Sequence, residues 1–141
     1  IGRRRTMSSD RRMLIGDAAS QIKPVSGGGI YPTMIAAPIL AEVASEALSD
    51  GDLSACRLKR YDRLFEKVMG KELRRGAFIR RAFVRMDDRN LDRAGEFSAR
   101  PDVRRILDTM EIDDPSAVIP QMLRHPATGV RGIATFLRCV L

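Results

Sequence analysis

Tryptophan is absent, aromatic residues make up only 5% of the 141 residues, and the chain holds one histidine and two cysteines. Each scarcity removes a class of function. Cys56 and Cys139 lie far apart with no Cys-x-x-Cys or Cys/His spacing. Neither a disulfide framework nor a zinc site is indicated, and a reducing compartment is the default. His125, in Arg124-His125-Pro126, has no nucleophile or metal partner in view and reads as a surface or capping residue beside a helix-ending proline. The few aromatics look interior rather than interleaved with basic residues, so base stacking lacks a platform and nucleic acid is not the expected partner. Long apolar runs are missing too: Ile133 to Leu141 falls far short of a membrane span.

Charge is plentiful. The net +7 comes from Arg3-Arg4-Arg5, Arg11-Arg12, Arg57 to Lys71 and Arg74 to Arg85. These clusters read either as solvated helix faces with acidic neighbours such as Asp62, Glu66 and Glu72, or as a surface attracting anionic membrane or phosphate-bearing lipid. With 44% apolar residues the chain is long enough for one modest core. Most of it reads as helix. Ser54 is placed to cap a long helix running with interruptions to about Met86, with Leu58, Tyr61, Phe65 and Val68 as its apolar stripe. A shifted stripe continues through Leu73, Ala77, Phe83 and Met86, and Gly70 and Gly76 are expected bends. Asp87-Asp88-Arg89-Asn90 breaks the pattern. Shorter helices are expected around 102–111, 115–124 and 128–140, with Pro101, Pro115 and Pro126 at first-turn or boundary positions.

The most informative stretch is Leu14-Ile15-Gly16-Asp17-Ala18-Ala19-Ser20, followed by Pro24-Val25-Ser26-Gly27-Gly28-Gly29-Ile30. Met13, Leu14 and Ile15 form a short apolar run that suits a strand, near residues 12–16, buried on both faces. Asp17 then stands at its carboxyl end without bulky neighbours, able to accept hydrogen bonds from a polyol. Three glycines remove every Cβ from the next turn and let backbone N–H groups approach a planar or anionic ligand. Ile30 to Leu48, rich in Ala, Ile and Leu, reads as a helix whose positive N-terminal end faces the same ligand.

Gly-Asp-Ala-Ala, then Pro, then Gly-Gly-Gly-Ile-Tyr resembles the second flavin-binding motif of FAD-dependent oxidoreductases built like aromatic-ring hydroxylases, and is most similar to the geranylgeranyl reductase family. The close match covers residues 13 to 48. It implies an α/β parent fold with a Rossmann-like FAD-binding domain, of which residues 1–50 are a carboxyl-terminal segment and residues 51–141 a helical carboxyl-terminal region. It further implies that Asp17 binds the ribityl chain of FAD. Gly16 and Ala18 would lie along the ribityl and pyrophosphate region, and Pro24, Gly27, Gly28, Gly29 and Ile30 would pass beside the isoalloxazine ring. Tyr31 would face substrate or flavin, or simply pack beneath that ring. Pro32 and Pro38 depart from the family pattern, with a late helix start and a kink near Pro38 as the expected consequences.

A complete flavoenzyme of this kind needs a Gly-x-Gly-x-x-Gly turn after an early strand, and none occurs here. With Ile1 rather than Met at its start, the chain is expected to be the carboxyl-terminal part of a longer protein, inactive alone, whose amino-terminal part is its first partner. The activity implied by the resemblance is saturation of double bonds in geranylgeranyl and other isoprenoid lipids, in the cytoplasm with peripheral contact at a membrane. The alternatives are another flavoprotein dehydrogenase or hydroxylase of the same superfamily, and a non-enzymatic basic helical module that binds membrane or nucleic acid.

Overall fold

A computed structural model describes residues 6–108. These fall in two compact units that divide between Arg74 and Arg75. The expected helices at 115–124 and 128–140, with Pro115, His125, Pro126 and Cys139, lie outside the described residues.

The first unit opens with a minimal antiparallel hairpin. Strand β1 (Ser8–Ser9) pairs with β2 (Arg12–Met13), Ser8 opposite Met13 and Ser9 opposite Arg12. Arg11 takes a left-handed conformation in the turn and donates its N–H to the Leu53 carbonyl at 2.9 Å. The strand expected near 12–16 therefore stops at Met13. Ile15 remains extended, but Leu14 and Ile15 are 39% and 36% exposed rather than buried on both faces. The reason is local: β1 offers only two residues to pair with, and Gly16, at φ +69°, turns the chain into a short 3-10 helix, Gly16–Ala19.

Helix α1 (Ile30–Asp50) follows Gly29 directly. Pro32 does not delay its start, because a proline in the first turn lacks an N–H that would have no helical partner anyway. Pro38 lies inside the helix, which continues on both sides of it. Pro32, Ala36, Val43 and Ala47 form its buried face. The helix ends at Gly51 in the left-handed region, where the Gly51 and Asp52 N–H groups donate to the Leu48 and Ala47 carbonyls at 3.2 and 3.0 Å.

Helix α2 (Ala55–Arg85) begins where Ser54 Oγ accepts the Arg57 N–H at 3.4 Å, as its position predicts. It runs unbroken through Gly70 and Gly76, without the expected interruptions. A glycine costs roughly 1 kcal/mol in a helix interior, too little to interrupt a long helix with a strong apolar stripe. That stripe is Leu58, Tyr61, Phe65 and Met69, which join Met7, Ala19, Ala36, Val43 and Ala47 in one core. Val68, expected in the stripe, is 57% exposed. At 3.6 residues per turn Met69 falls beside Leu58 and Phe65, whereas Val68 falls beyond Tyr61, outside the arc the core covers.

In the second unit, Asp87 begins a helix rather than ending the pattern. Its side chain accepts the Asn90 N–H at 2.8 Å and caps α3 (Asp88–Ala99), a helix not anticipated from the sequence. Helix α4 (Pro101–Asp108) starts on Pro101, in agreement with its expected boundary role, and buries Val103 and Ile106. Phe83 in the expected second stripe is exposed. No helix among the described residues is long and apolar enough to cross a membrane.

Candidate functional site

The glycine–aspartate segment and the glycine-rich turn, separated in sequence, meet in space. An ideal Cβ on Gly29 would lie 2.6 Å from Asp17 Oδ1, a separation only glycine permits without moving the carboxylate. A Cβ on Gly16 would lie 3.4 Å from Thr33 Oγ1, and that hydroxyl donates to the Gly29 carbonyl at 2.7 Å. Gly16, Asp17, Gly29 and the first turn of α1 thus form one cluster. Asp17 and Ala18 are exposed, as are Gly27, Gly28 and Ile30. No side chain caps α1, and its first turn carries no acidic residue, so its N-terminal end keeps its positive character beside the Asp17 carboxylate.

The turn between them is closed by its own backbone. Lys23 N–H donates to the Gly28 carbonyl and Gly27 N–H to the Lys23 carbonyl, both at 2.9 Å. Pro24 is buried beneath this loop, and Gly27 takes φ +75° with nothing within 4 Å of a built Cβ. Its glycines therefore present bare backbone, although the Gly27 amide is engaged within the loop. Buried Lys23 anchors it to α2: its Nζ lies 2.9 Å from Glu72 Oε1 and 4.4 Å from the centre of the Tyr31 ring. Tyr31 is thereby seated under an ammonium group.

Gln21, which the sequence reading passed over, is wholly buried at the centre of this arrangement. Its Oε1 accepts the Gly16 N–H at 2.8 Å and its backbone N–H donates to the Gly16 carbonyl at 3.0 Å. Its Nε2 donates to the Tyr61 hydroxyl at 2.6 Å and to Met7 Sδ at 3.2 Å. Burial pushes the Tyr61 phenol up from its ordinary value, against the opposing effect of the Gln21 bond and with a further push from the Asp62 charge. The only sequence signal for Gln21 was a long amide side chain in a short linker, with no periodicity to mark it. No group of His, Cys, Asp and Glu suited to a metal ion occurs among the described residues.

No protein-family model matches the chain, and no solved structure matches it. Curated relatives do. Digeranylgeranylglycerophospholipid reductase 2 of Methanopyrus kandleri is 34% identical over 103 residues, 73% of this chain and 26% of that protein. Digeranylgeranylglycerophospholipid reductase 1 of Methanothermobacter thermautotrophicus is 30% identical over 122 residues, covering 86% and 31% of the two chains. The corresponding reductase of Methanosphaerula palustris is 40% identical over 85 residues, 60% of this chain and 21% of that protein. The chain spans less than a third of the length of these relatives. By its motif and by these relatives alike, it belongs to the geranylgeranyl reductase family, of whose members it represents a part.

Proposed function

We propose that this chain is the flavin-facing portion of a FAD-dependent reductase that saturates carbon–carbon double bonds in isoprenoid lipids such as digeranylgeranylglycerophospholipid. The observation that carries the reading is the Asp17 carboxylate held against Gly29 at the open N-terminal end of α1. The names of the relatives support the reaction and the substrate class. The residues present suit a ligand with a polyol chain and a flat ring: an exposed acceptor, exposed glycines and a helix end of positive character.

In this reading Asp17 accepts hydrogen bonds from the ribityl hydroxyls. Gly16 and Ala18 keep the approach free of bulk, and Gly27, Gly28 and Gly29 of the Pro24–Ile30 loop offer bare backbone to the ring edge. When bound in its reduced form, FAD supplies a hydride to one alkene carbon, and a proton completes the other. The N-terminal end of α1 favours negative charge at the ring's pyrimidine end. The remaining sheet, a Rossmann-like parent domain, the pyrophosphate site and the substrate tunnel belong to the rest of the protein in this proposal. Peripheral contact with an anionic lipid surface is part of it. Phe78 and Val84 are 61% and 71% exposed on the same helix as exposed Arg75, Arg81 and Arg85, a composition suited to a bilayer interface.

The test is the visible absorption spectrum of the purified full-length protein, with the mass of any released cofactor. Flavin bands and a released FAD mass are expected, followed by gain of hydrogen in digeranylgeranylglycerophospholipid under reducing, anaerobic conditions. A colourless protein that FAD does not reconstitute overturns the reading in favour of a basic helical binding module, whose affinity would fall steeply with salt.

A further inference from the structure

We infer that Gln21 is a positioning residue, and that through it the Tyr61 hydroxyl of α2 sets the conformation of the Asp17 turn. The inference rests on the flavin reading for its functional consequence, but its structural half stands on the contacts of this chain alone.

Gly16 takes φ +69°, and both of its backbone hydrogen-bonding groups are held by one residue, its N–H by Gln21 Oε1 and its carbonyl by the Gln21 N–H. Such a clasp fixes the peptide plane entering Asp17, and hence the direction in which the Asp17 side chain leaves the backbone. The Gln21 carbonyl also lies 3.8 Å from a Cβ built on Gly29, so the same residue borders both halves of the cluster. An amide side chain can flip end for end, which would aim an N–H at the Gly16 N–H. The Gly16 N–H, a donor only, rules this out, and the Tyr61 hydroxyl, which accepts from Nε2 at 2.6 Å, holds the far end of the amide in place. Gln21 and Tyr61 are each fully buried, so water does not replace either partner. Tyr61 is itself fixed in the core stripe between Leu58 and Phe65. The position of α2 is thereby relayed to an exposed carboxylate that α2 does not touch through its backbone ladder. Neither Gln21 nor Tyr61 needs contact with the cofactor, so neither is a catalytic residue.

The experiment uses the full-length protein with Tyr61→Phe and Gln21→Leu, reading FAD affinity by flavin fluorescence and, in the cofactor-free protein, hydrogen exchange of the Gly16–Ala19 segment. Tyr61→Phe is the milder variant, since it removes one hydroxyl and keeps the ring in the core. Both variants are expected to raise exchange in this segment, and to weaken FAD binding about tenfold, the size expected for one buried hydrogen bond. Exchange in the core stretch of α2 should stay unchanged in Tyr61→Phe, which separates positioning from general loosening. Gln21→Glu, whose protonated carboxyl accepts from Gly16 at its carbonyl oxygen and donates its O–H to Tyr61, should restore protection relative to Gln21→Leu. Unchanged exchange at Gly16–Ala19 in both variants overturns the inference. Faster exchange in Gln21→Leu with Tyr61→Phe like wild type overturns the relay from α2. Absence of FAD binding by the wild-type protein instead overturns the flavin reading, while the exchange measurement still decides the clasp.

Discussion

Residues 6–29, helix α1 and the part of α2 up to Arg74 share one unit but are held by different forces. The helices meet through the area of an apolar stripe, Leu58, Tyr61, Phe65 and Met69 against Ala36, Val43 and Ala47. Their edges carry ion pairs: Arg60 reaches Glu42 at 2.8 Å and also pairs with Glu46, and Arg57 pairs with Glu46 and Asp50. Residues 6–29 contain only a hairpin of two-residue strands and one turn of 3-10 helix; beyond Met7 and Ala19, which join the core, single polar contacts hold them. Met7 N–H donates to Asp62 Oδ1 at 2.8 Å, the Ser8 hydroxyl bonds the same carboxylate, Gln21 clasps Gly16, and Lys23 meets Glu72. Area tolerates small changes because many weak contacts share it. A named hydrogen bond does not, because one atom makes or loses it. The segment that carries the proposed chemistry is thus the one built from non-redundant contacts, and its glycines supply no side chains to make others.

The comparison breaks most visibly if the core is opened. Phe65→Ala should destabilise the chain by about 3–5 kcal/mol, as for other buried phenylalanines, measured by denaturant unfolding. A cost below about 1 kcal/mol would show that the stripe is not the main support of the helices.

Asp17→Ala tests the opposite region. An exposed carboxylate outside the core should change stability by no more than about 0.5 kcal/mol. In the full-length protein it should weaken FAD retention by roughly ten- to a hundredfold, from the loss of charge-assisted hydrogen bonds. Normal flavin content in this variant would remove Asp17 from the proposed site.

A pH titration reaches the point where the two regions join. Burial raises the Tyr61 pKa above the ordinary 10.0, so the folded chain holds the phenol proton more tightly than the unfolded chain does. Its contribution is therefore intact below pH 10.0 and is lost as the pH rises through the folded-state value. In a Tyr31→Phe background, which leaves Tyr61 as the one tyrosine of the chain, tyrosinate absorbance should appear together with unfolding, and the further change Tyr61→Phe should lessen the pH dependence of unfolding in this range. Tyrosinate formation well ahead of unfolding in that background would mean that Tyr61 is not sealed in the core.

The smallest effect belongs to the ion pairs. Arg60→Ala should cost about 0–1 kcal/mol and less at high salt, because its partners are largely solvated. A larger, salt-insensitive loss would show that charge rather than area joins α1 to α2.

Much of this was legible in the sequence where the signal is local. The helix read from Ile30 to Leu48 spans Ile30–Asp50, and the one capped by Ser54 spans Ala55–Arg85. Propensity, a capping hydroxyl and a C-terminal glycine all act within a few residues of each other. The same locality explains the misses. The run Met13-Leu14-Ile15 has the composition of a buried strand, but burial requires a partner, and β1 offers only Ser8 and Ser9. Asp87-Asp88-Arg89-Asn90 looks like a break because of its polarity, while Asp87 acts as the cap of α3. Val68 and Met69 are adjacent apolar residues, and only the side of α2 that meets the core separates them.

What the sequence by itself determined, then, is the helical character of the chain, the starts and ends of α1 and α2, the glycine turn with its acid, and through that motif the family. The tertiary structure decided that Asp17 comes to rest against Gly29, that Lys23 finds Glu72, and that Gln21 links Gly16 to Tyr61. Helix starts and turns follow from the conformational preferences of neighbouring residues, which any short window contains. A contact across forty residues of chain, such as that from Gln21 to Tyr61, follows from how two buried surfaces fit, and no short window holds both surfaces.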